Sequence, residues 1–170
     1  NNKMKPLMDY FLDVPIYGSK VFNIIAESKL GEDNTQIIEN KIESKESFSG
    51  KVLVAEDNLN NQLLIKIILQ KLGLDVTIVE NGQLAVEKYQ NEEFDLIFLD
   101  INMPVMDGLT ALKHIRDYEI KTQKHTPIIA LTANAINGDK EKYINEGMDN
   151  YLSKPLEKNQ LIAILNLYIK

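Results

Sequence analysis

The sequence contains no cysteine, which excludes disulfides and thiolate metal sites. It has only two histidines, His114 and His125, and they lie too far apart in sequence to suggest a zinc cluster. No stretch approaches the ~18 consecutive apolar residues of a membrane span. The best run, Leu63 to Leu69, is broken by Lys66. The opening residues, Asn1-Asn2-Lys3-Met4-Lys5-Pro6, lack the apolar centre of a secretory signal. Basic residues are outnumbered 19 to 25, and the resulting charge of −6 argues against nonspecific nucleic-acid binding through this chain. What is present is ordinary for a globular protein: 170 residues, 44% hydrophobic and 26% charged. That excludes a wholly disordered chain and is enough for a real core. The length suits one domain, or one domain plus a piece. The first residue is not methionine, so the chain reads as an excised or processed part of a longer protein.

Residues 31–50 are polar and charged with few large apolar side chains, as a linker is. Regular punctuation follows. Lys51–Ala55 is a short β-branched run, expected to be a buried strand. Asn58 is placed to cap a helix with Leu64, Ile67, Ile68 and Leu72 as its core stripe, ended by Gly73. The opposite face, with Asn61 and Ile65, is then expected to carry a docking surface for a partner helix. Further strands are expected at 74–79, 94–99, 127–131 and 150–152. Helices are expected after Asn81-Gly82 and over 108–118, 137–146 and 156–168. Strands alternating with helices mean βα units and a doubly wound parallel sheet, an α/β fold covered on both sides. Ligands of such sheets bind beyond the carboxyl ends of the strands, so chemistry is sought there.

Those ends carry Glu56 and Asp57, then Asp100, then Thr132, then Lys154. Three carboxylates brought to one edge repel unless a cation joins them. Oxygen ligands with open positions suit Mg²⁺. Metal, ammonium and hydroxyl together could hold the oxygens of a phosphoryl group, with Asp100 as its acceptor. Taken singly, an acid after a strand is as often a cap or a turn. Asp107-Gly108 reads as a turn and cap, Asn58 as a cap, Tyr151 alternatively as a half-buried strand residue, and both histidines as surface residues.

The segments VLVAEDN, FDLIFLDINMPVMDG, PIIALTA and YLSKP, in this order and on these elements, resemble the receiver domain of two-component response regulators. The resemblance covers residues 51–170. It implies a flavodoxin-like five-stranded sheet of order 2-1-3-4-5. It implies Asp100 as phosphoacceptor, with Mg²⁺ held by Glu56, Asp57, Asp100 and the backbone carbonyl of Asn102. Thr132 and Lys154 would contact the phosphoryl group, Thr132 and Tyr151 would form a switch, and Lys154-Pro155 would be cis. Asn102 and Asn134 would flank the phosphoryl group.

Residues 151–165 also align without a gap on residues 11–25, although Val14 stands where Lys154 does. Residues 1–30 are therefore read as the remnant of a degenerate receiver-like domain, 31–50 as linker, and 51–170 as the receiver. Dimerisation or swapping through residues 1–30 is one consequence considered. The chain ends after the fifth helix, so no DNA-binding output domain is expected to follow. This arrangement is similar to the tail of a hybrid sensor histidine kinase, and EDNLNNQ resembles the first loop of such phosphorelay receivers. The implied partners are a kinase phosphoacceptor domain and a histidine phosphotransfer protein, docking over the first helix and the loop at Pro155. No ATP-binding glycine loop is present, so kinase activity would belong to the parent chain. The expected location is cytoplasmic, with the parent either free or anchored in the inner membrane. Three alternatives stay open: a stand-alone response regulator, a non-phosphorylated interaction module, and an aspartate-nucleophile phosphatase. The last carries a second acid two residues after its nucleophile, where this chain has Asn102.

Overall fold

Five short apolar runs separated by helices leave one economical solution, a parallel sheet whose two faces are covered by the helices. The computed structural model describes residues 46–133 and 139–169. Residues 1–30, most of the linker and Asn134 lie outside them, as does the start of the helix expected from 137. Among the described residues the order is β1 (Lys51–Ala55), α1 (Leu59–Lys71), β2 (Asp75–Val79), α2 (Gly82–Asn91), β3 (Leu96–Asp100), α3 (Gly108–Thr122), β4 (Ile128–Thr132), α4 (Asp139–Asn145), β5 (Asn150–Ser153) and α5 (Lys158–Tyr168). The sheet runs β2-β1-β3-β4-β5 and every pairing is parallel. This is the doubly wound arrangement expected. No helix among the described residues is long and apolar enough to cross a membrane.

Alternation along the strands sorts side chains into two apolar layers. Leu53, Ile97, Leu99 and Ile128 face one layer with Tyr89, Leu112 and Ile115 of α2 and α3. Val52, Val54, Phe98 and Ile129 face the other with Ile65 and Leu69 of α1 and Leu161 and Leu165 of α5. Each such fully buried side chain contributes roughly 1.5–3 kcal/mol. In β3 and β4 all five positions are buried. The site described below therefore grows from the most deeply buried part of the sheet.

The face of α1 follows expectation in part: Ile68 and Leu72 pack into the second layer as expected. Ile65, expected on the outer face, is fully buried with Leu69, while Leu64 and Ile67, expected in the core, are 43% and 42% exposed. Leu59 and Leu63 are also exposed. Apolar residues surround this helix, so periodicity alone does not select the side that meets the sheet. Other ends shift slightly. α3 runs four residues further, to Thr122, and stops at Gln123 in the left-handed region. α5 begins at Lys158 because Glu157 is still extended.

Asn58, Asn81 and Asp107 cap their helices through side-chain oxygens. At the end of α1, Gly73 has φ +95°, and a Cβ there would lie 2.5 Å from the Phe48 carbonyl oxygen. The Phe48 N–H donates to the Leu72 carbonyl at 2.7 Å, and Phe48 packs against the second apolar layer.

A buried polar network ties α2 and α3 to the start of β4. Glu119, 4% exposed, accepts from the Tyr89 hydroxyl at 2.7 Å and the Thr126 N–H at 2.7 Å, and pairs with Arg116 at 2.6 Å. Burial pushes the Tyr89 hydroxyl up to about 12; Thr126 opposes this and Glu119 adds to it. The folded protein thus holds this proton beyond the ordinary tyrosine value of about 10. Stability from this group is complete below about pH 10 and is lost as pH rises through the folded value. Tyr89→Phe should flatten the alkaline fall in urea midpoint over that window relative to wild type. Equal slopes in the two proteins would refute the assignment.

Candidate functional site

Parallel register brings the strand ends to one edge. Ala55 lies beside Leu99, Asp100 beside Leu131, and Thr132 beside Ser153. The next residues of β1 and β5 are Glu56 and Lys154. Carboxylate oxygens of Glu56, Asp57 and Asp100 lie within 4.8 Å of one another. Glu56 and Asp100 are buried, at 1% and 3% exposure, and Asp57 is exposed. The Lys154 ammonium lies 2.6 Å from Asp100 Oδ2 and 2.6 Å from Glu56 Oε2. The first contact is a hydrogen bond. The second is an ion pair only: Glu56 Oε2 is buried and receives no well-directed hydrogen bond.

Burial pushes the Asp100 carboxyl above its ordinary range, against the pull of Lys154 and the Asn102 N–H. Burial also works against the Lys154 charge, but its contacts with Asp100 and Glu56 outweigh this and hold the ammonium above its usual value. The Asn102 N–H donates to Asp100 Oδ1 at 3.2 Å, and the Asn102 side chain is exposed. Thr132 is buried at the end of β4, and its hydroxyl shares a hydrogen bond of 3.2 Å with the Tyr143 hydroxyl of α4. The Lys154 N–H donates to the Thr132 carbonyl at 2.7 Å, and the Lys154-Pro155 peptide is cis. Tyr151 is half-buried and packs against the layer that contains Tyr143. His114 and His125 are exposed; His125 meets Asp149 at 2.9 Å, just ahead of the starts of β4 and β5 and so at the opposite end of those strands from Thr132 and Lys154.

Three side chains at the site are given no role there by the sequence, although Asn61 and Gln62 lie within the EDNLNNQ stretch. Asn61, expected on the outer face of α1, turns its amide to Glu56 Oε1 at 2.9 Å. Gln62 donates to the Glu56 carbonyl at 2.6 Å. Tyr143 reaches Thr132 from the helix expected over 137–146, to which the sequence assigns no part in the site. The pairings are long in sequence or local to one helix turn, and no spacing rule announces them.

Three carboxylates with oxygens within 4.8 Å of one another, two of them buried, are a donor set that fits a hard divalent cation. The model of the response regulator receiver domain family matches residues 52–166. The chain belongs to this family. Hybrid signal transduction histidine kinase I of Dictyostelium discoideum is 39% identical over 164 residues, covering 94% of this chain and 9% of that protein. The chain thus spans a small part of this curated relative. Among solved structures, the receiver domain of sensor histidine kinase PA1611 from Pseudomonas aeruginosa is 40% identical, with a TM-score of 0.64, over 71% of this chain and 97% of that one. It was crystallised with a magnesium ion coordinated in its active-site cleft. The receiver domain of Ssk1 from Saccharomyces cerevisiae, solved with the histidine phosphotransfer protein Ypd1, is 32% identical, with a TM-score of 0.67, over 72% of this chain and 90% of that one.

Proposed function

We propose that this receiver takes a phosphoryl group from a phosphohistidine onto Asp100 and passes it to a histidine phosphotransfer partner, as part of a hybrid histidine kinase. The observation that carries the reading is Lys154, whose ammonium touches both Asp100 and Glu56 at 2.6 Å. An ammonium so placed can follow charge from the acceptor carboxylate to the oxygens of an arriving phosphoryl group. In the transfer the histidine N–P bond breaks, the imidazole nitrogen keeps the bonding pair, and an Asp100 oxygen forms the new O–P bond. Asp100 must therefore be ionised. Thr132 donates its O–H to the phosphoryl group, and its shift toward that group draws Tyr151 inward. Glu56, Asp57, Asp100 and the Asn102 carbonyl would hold Mg²⁺, which adds positive charge at the phosphoryl oxygens.

The partner is read from Ypd1 on the Ssk1 receiver, and the parent from the Dictyostelium kinase. The Dictyostelium match covers more of this chain than the receiver alone, which supports residues 1–30 and the linker as parts of the same hybrid arrangement. The parent would act in the cytoplasm. Its partner helix meets the exposed Leu59, Leu63, Leu64 and Ile67 of α1.

Incubation with Mg²⁺ and a small phosphodonor, read by intact mass, should add one phosphoryl group to the wild type and none to Asp100→Asn. No mass gain, or a gain that survives Asp100→Asn, would sink the reading. Rapid turnover of many phosphate esters would favour a phosphatase.

A further inference from the structure

Glu56 is held from two sides. Its Oε1 accepts from the Asn61 amide at 2.9 Å and from the Asn58 N–H at 3.3 Å. Its main-chain carbonyl accepts from Gln62 at 2.6 Å. The other oxygen, Oε2, is buried and ion-paired with the Lys154 ammonium at 2.6 Å, so it is the oxygen that a cation entering beside Asp57 and Asp100 would share with that ammonium or take from it. A carboxylate gripped in this way offers one oxygen to a cation. A free carboxylate can rotate and offer two.

That difference bears on which cation fits. Mg²⁺ takes six ligands at about 2.0–2.1 Å in near-octahedral geometry, and one oxygen per carboxylate suits it. Ca²⁺ takes about six to eight oxygens at about 2.3–2.6 Å and readily uses both oxygens of a carboxylate. We propose that Asn61 is a positioning residue that keeps Glu56 a one-oxygen ligand and thereby selects Mg²⁺ over Ca²⁺ at this site. The proposal rests on the reading of Glu56, Asp57 and Asp100 as a cation site, and goes beyond it. Asn61 touches neither the cation nor the phosphoryl group, and acts through Glu56 alone.

The test is calorimetric titration of the full chain with MgCl₂ and, separately, CaCl₂, with no phosphodonor present. Partners behind a ligand typically change metal affinity by about 10–100-fold. Asn61→Ala, and Asn61→Leu as a variant of similar shape without the donor, should weaken Mg²⁺ by about tenfold. Ca²⁺ should weaken less or tighten, so the Mg²⁺/Ca²⁺ preference falls by roughly the same factor. Asn61→Gln keeps the amide donor and should recover part of the preference. Equal weakening of both cations would reduce Asn61 to a general structural role and overturn the proposal, as would unchanged affinities. A wild type that binds no Mg²⁺ would overturn the cation site itself, an outcome distinct from either.

Discussion

Alanine at Gly108 is expected to damage both stability and phosphoryl acceptance. A Cβ at this position would stand 2.2 Å from the Asp100 carbonyl oxygen and 3.0 Å from its carbon. Both are backbone atoms, so no side chain can swing aside. The first turn of α3 sits directly on the end of β3, and the Gly108 N–H donates to the Ile101 carbonyl at 3.0 Å. Asp107 fixes the other side by capping α3 at the Thr110 N–H, 2.7 Å. Either α3 or the end of β3 must move. Overpacking of this kind costs about 3 kcal/mol, and in a domain of this size the melting temperature should fall by roughly 10 °C. The displaced atoms belong to Asp100, the proposed acceptor, so phosphorylation should slow by about 100-fold, the cost typical of an ångström's misplacement. Thermal melts, and phosphorylation rates taken well below both melting points, check the two effects. A variant with wild-type rate would show that Asp100 does not depend on this contact.

The second large effect is expected at Lys154. Lys154→Met removes the positive charge and leaves Glu56 and Asp100 buried side by side. Removing one partner of a buried ion pair costs about 3–5 kcal/mol. Here the lysine side chain is 19% exposed, so water screens part of this and about 2–3 kcal/mol is expected. The pH dependence follows from Asp100, whose carboxyl burial already raises and which Lys154 pulls down. Without Lys154 its value rises further. A carboxyl raised above its unfolded value binds its proton more tightly when folded, so stability drops as pH climbs through the folded value. The variant should therefore lose most at neutral pH and least in mild acid. Added Mg²⁺ should stabilise it more than the wild type, because the cation no longer competes with an ammonium for Glu56 Oε2. Melting curves with and without Mg²⁺, at mildly acidic and at neutral pH, test this. Equal stabilisation of both proteins would show that Lys154 and the cation do not share that oxygen.

The parts of the fold that could be read from sequence are those where burial acts on both faces. Phe94 to Leu99 and Pro127 to Leu131 announced β3 and β4 because central parallel strands tolerate almost nothing polar. The strand-end residues followed from topology, which turns distant positions such as Glu56 and Lys154 into neighbours. α1 was misread for the opposite reason. Leu59, Leu63, Leu64, Ile65, Ile67, Ile68 and Leu69 give every side an apolar residue, and only the sheet decides that Ile65 and Leu69 face inward. Asn61 reads as part of a docking face, not as a partner of Glu56, because a half-buried amide on the first turn of a helix has many equivalent roles in sequence. Its role depends on where the Glu56 carboxylate points, and that depends on Lys154.

Phe48 bears on where the domain begins. The family match starts at residue 52, and β1 starts at Lys51. Yet the Phe48 N–H closes the Leu72 carbonyl, and its side chain lies against Val52's layer. Gly73 is shaped to receive it. A chain trimmed to Lys51 would keep every residue of the proposed phosphoacceptor site while unsealing the end of α1 and the rim of an apolar layer. A minimal stable unit should therefore be cut ahead of Phe48, since burial continues past the point where the family match begins.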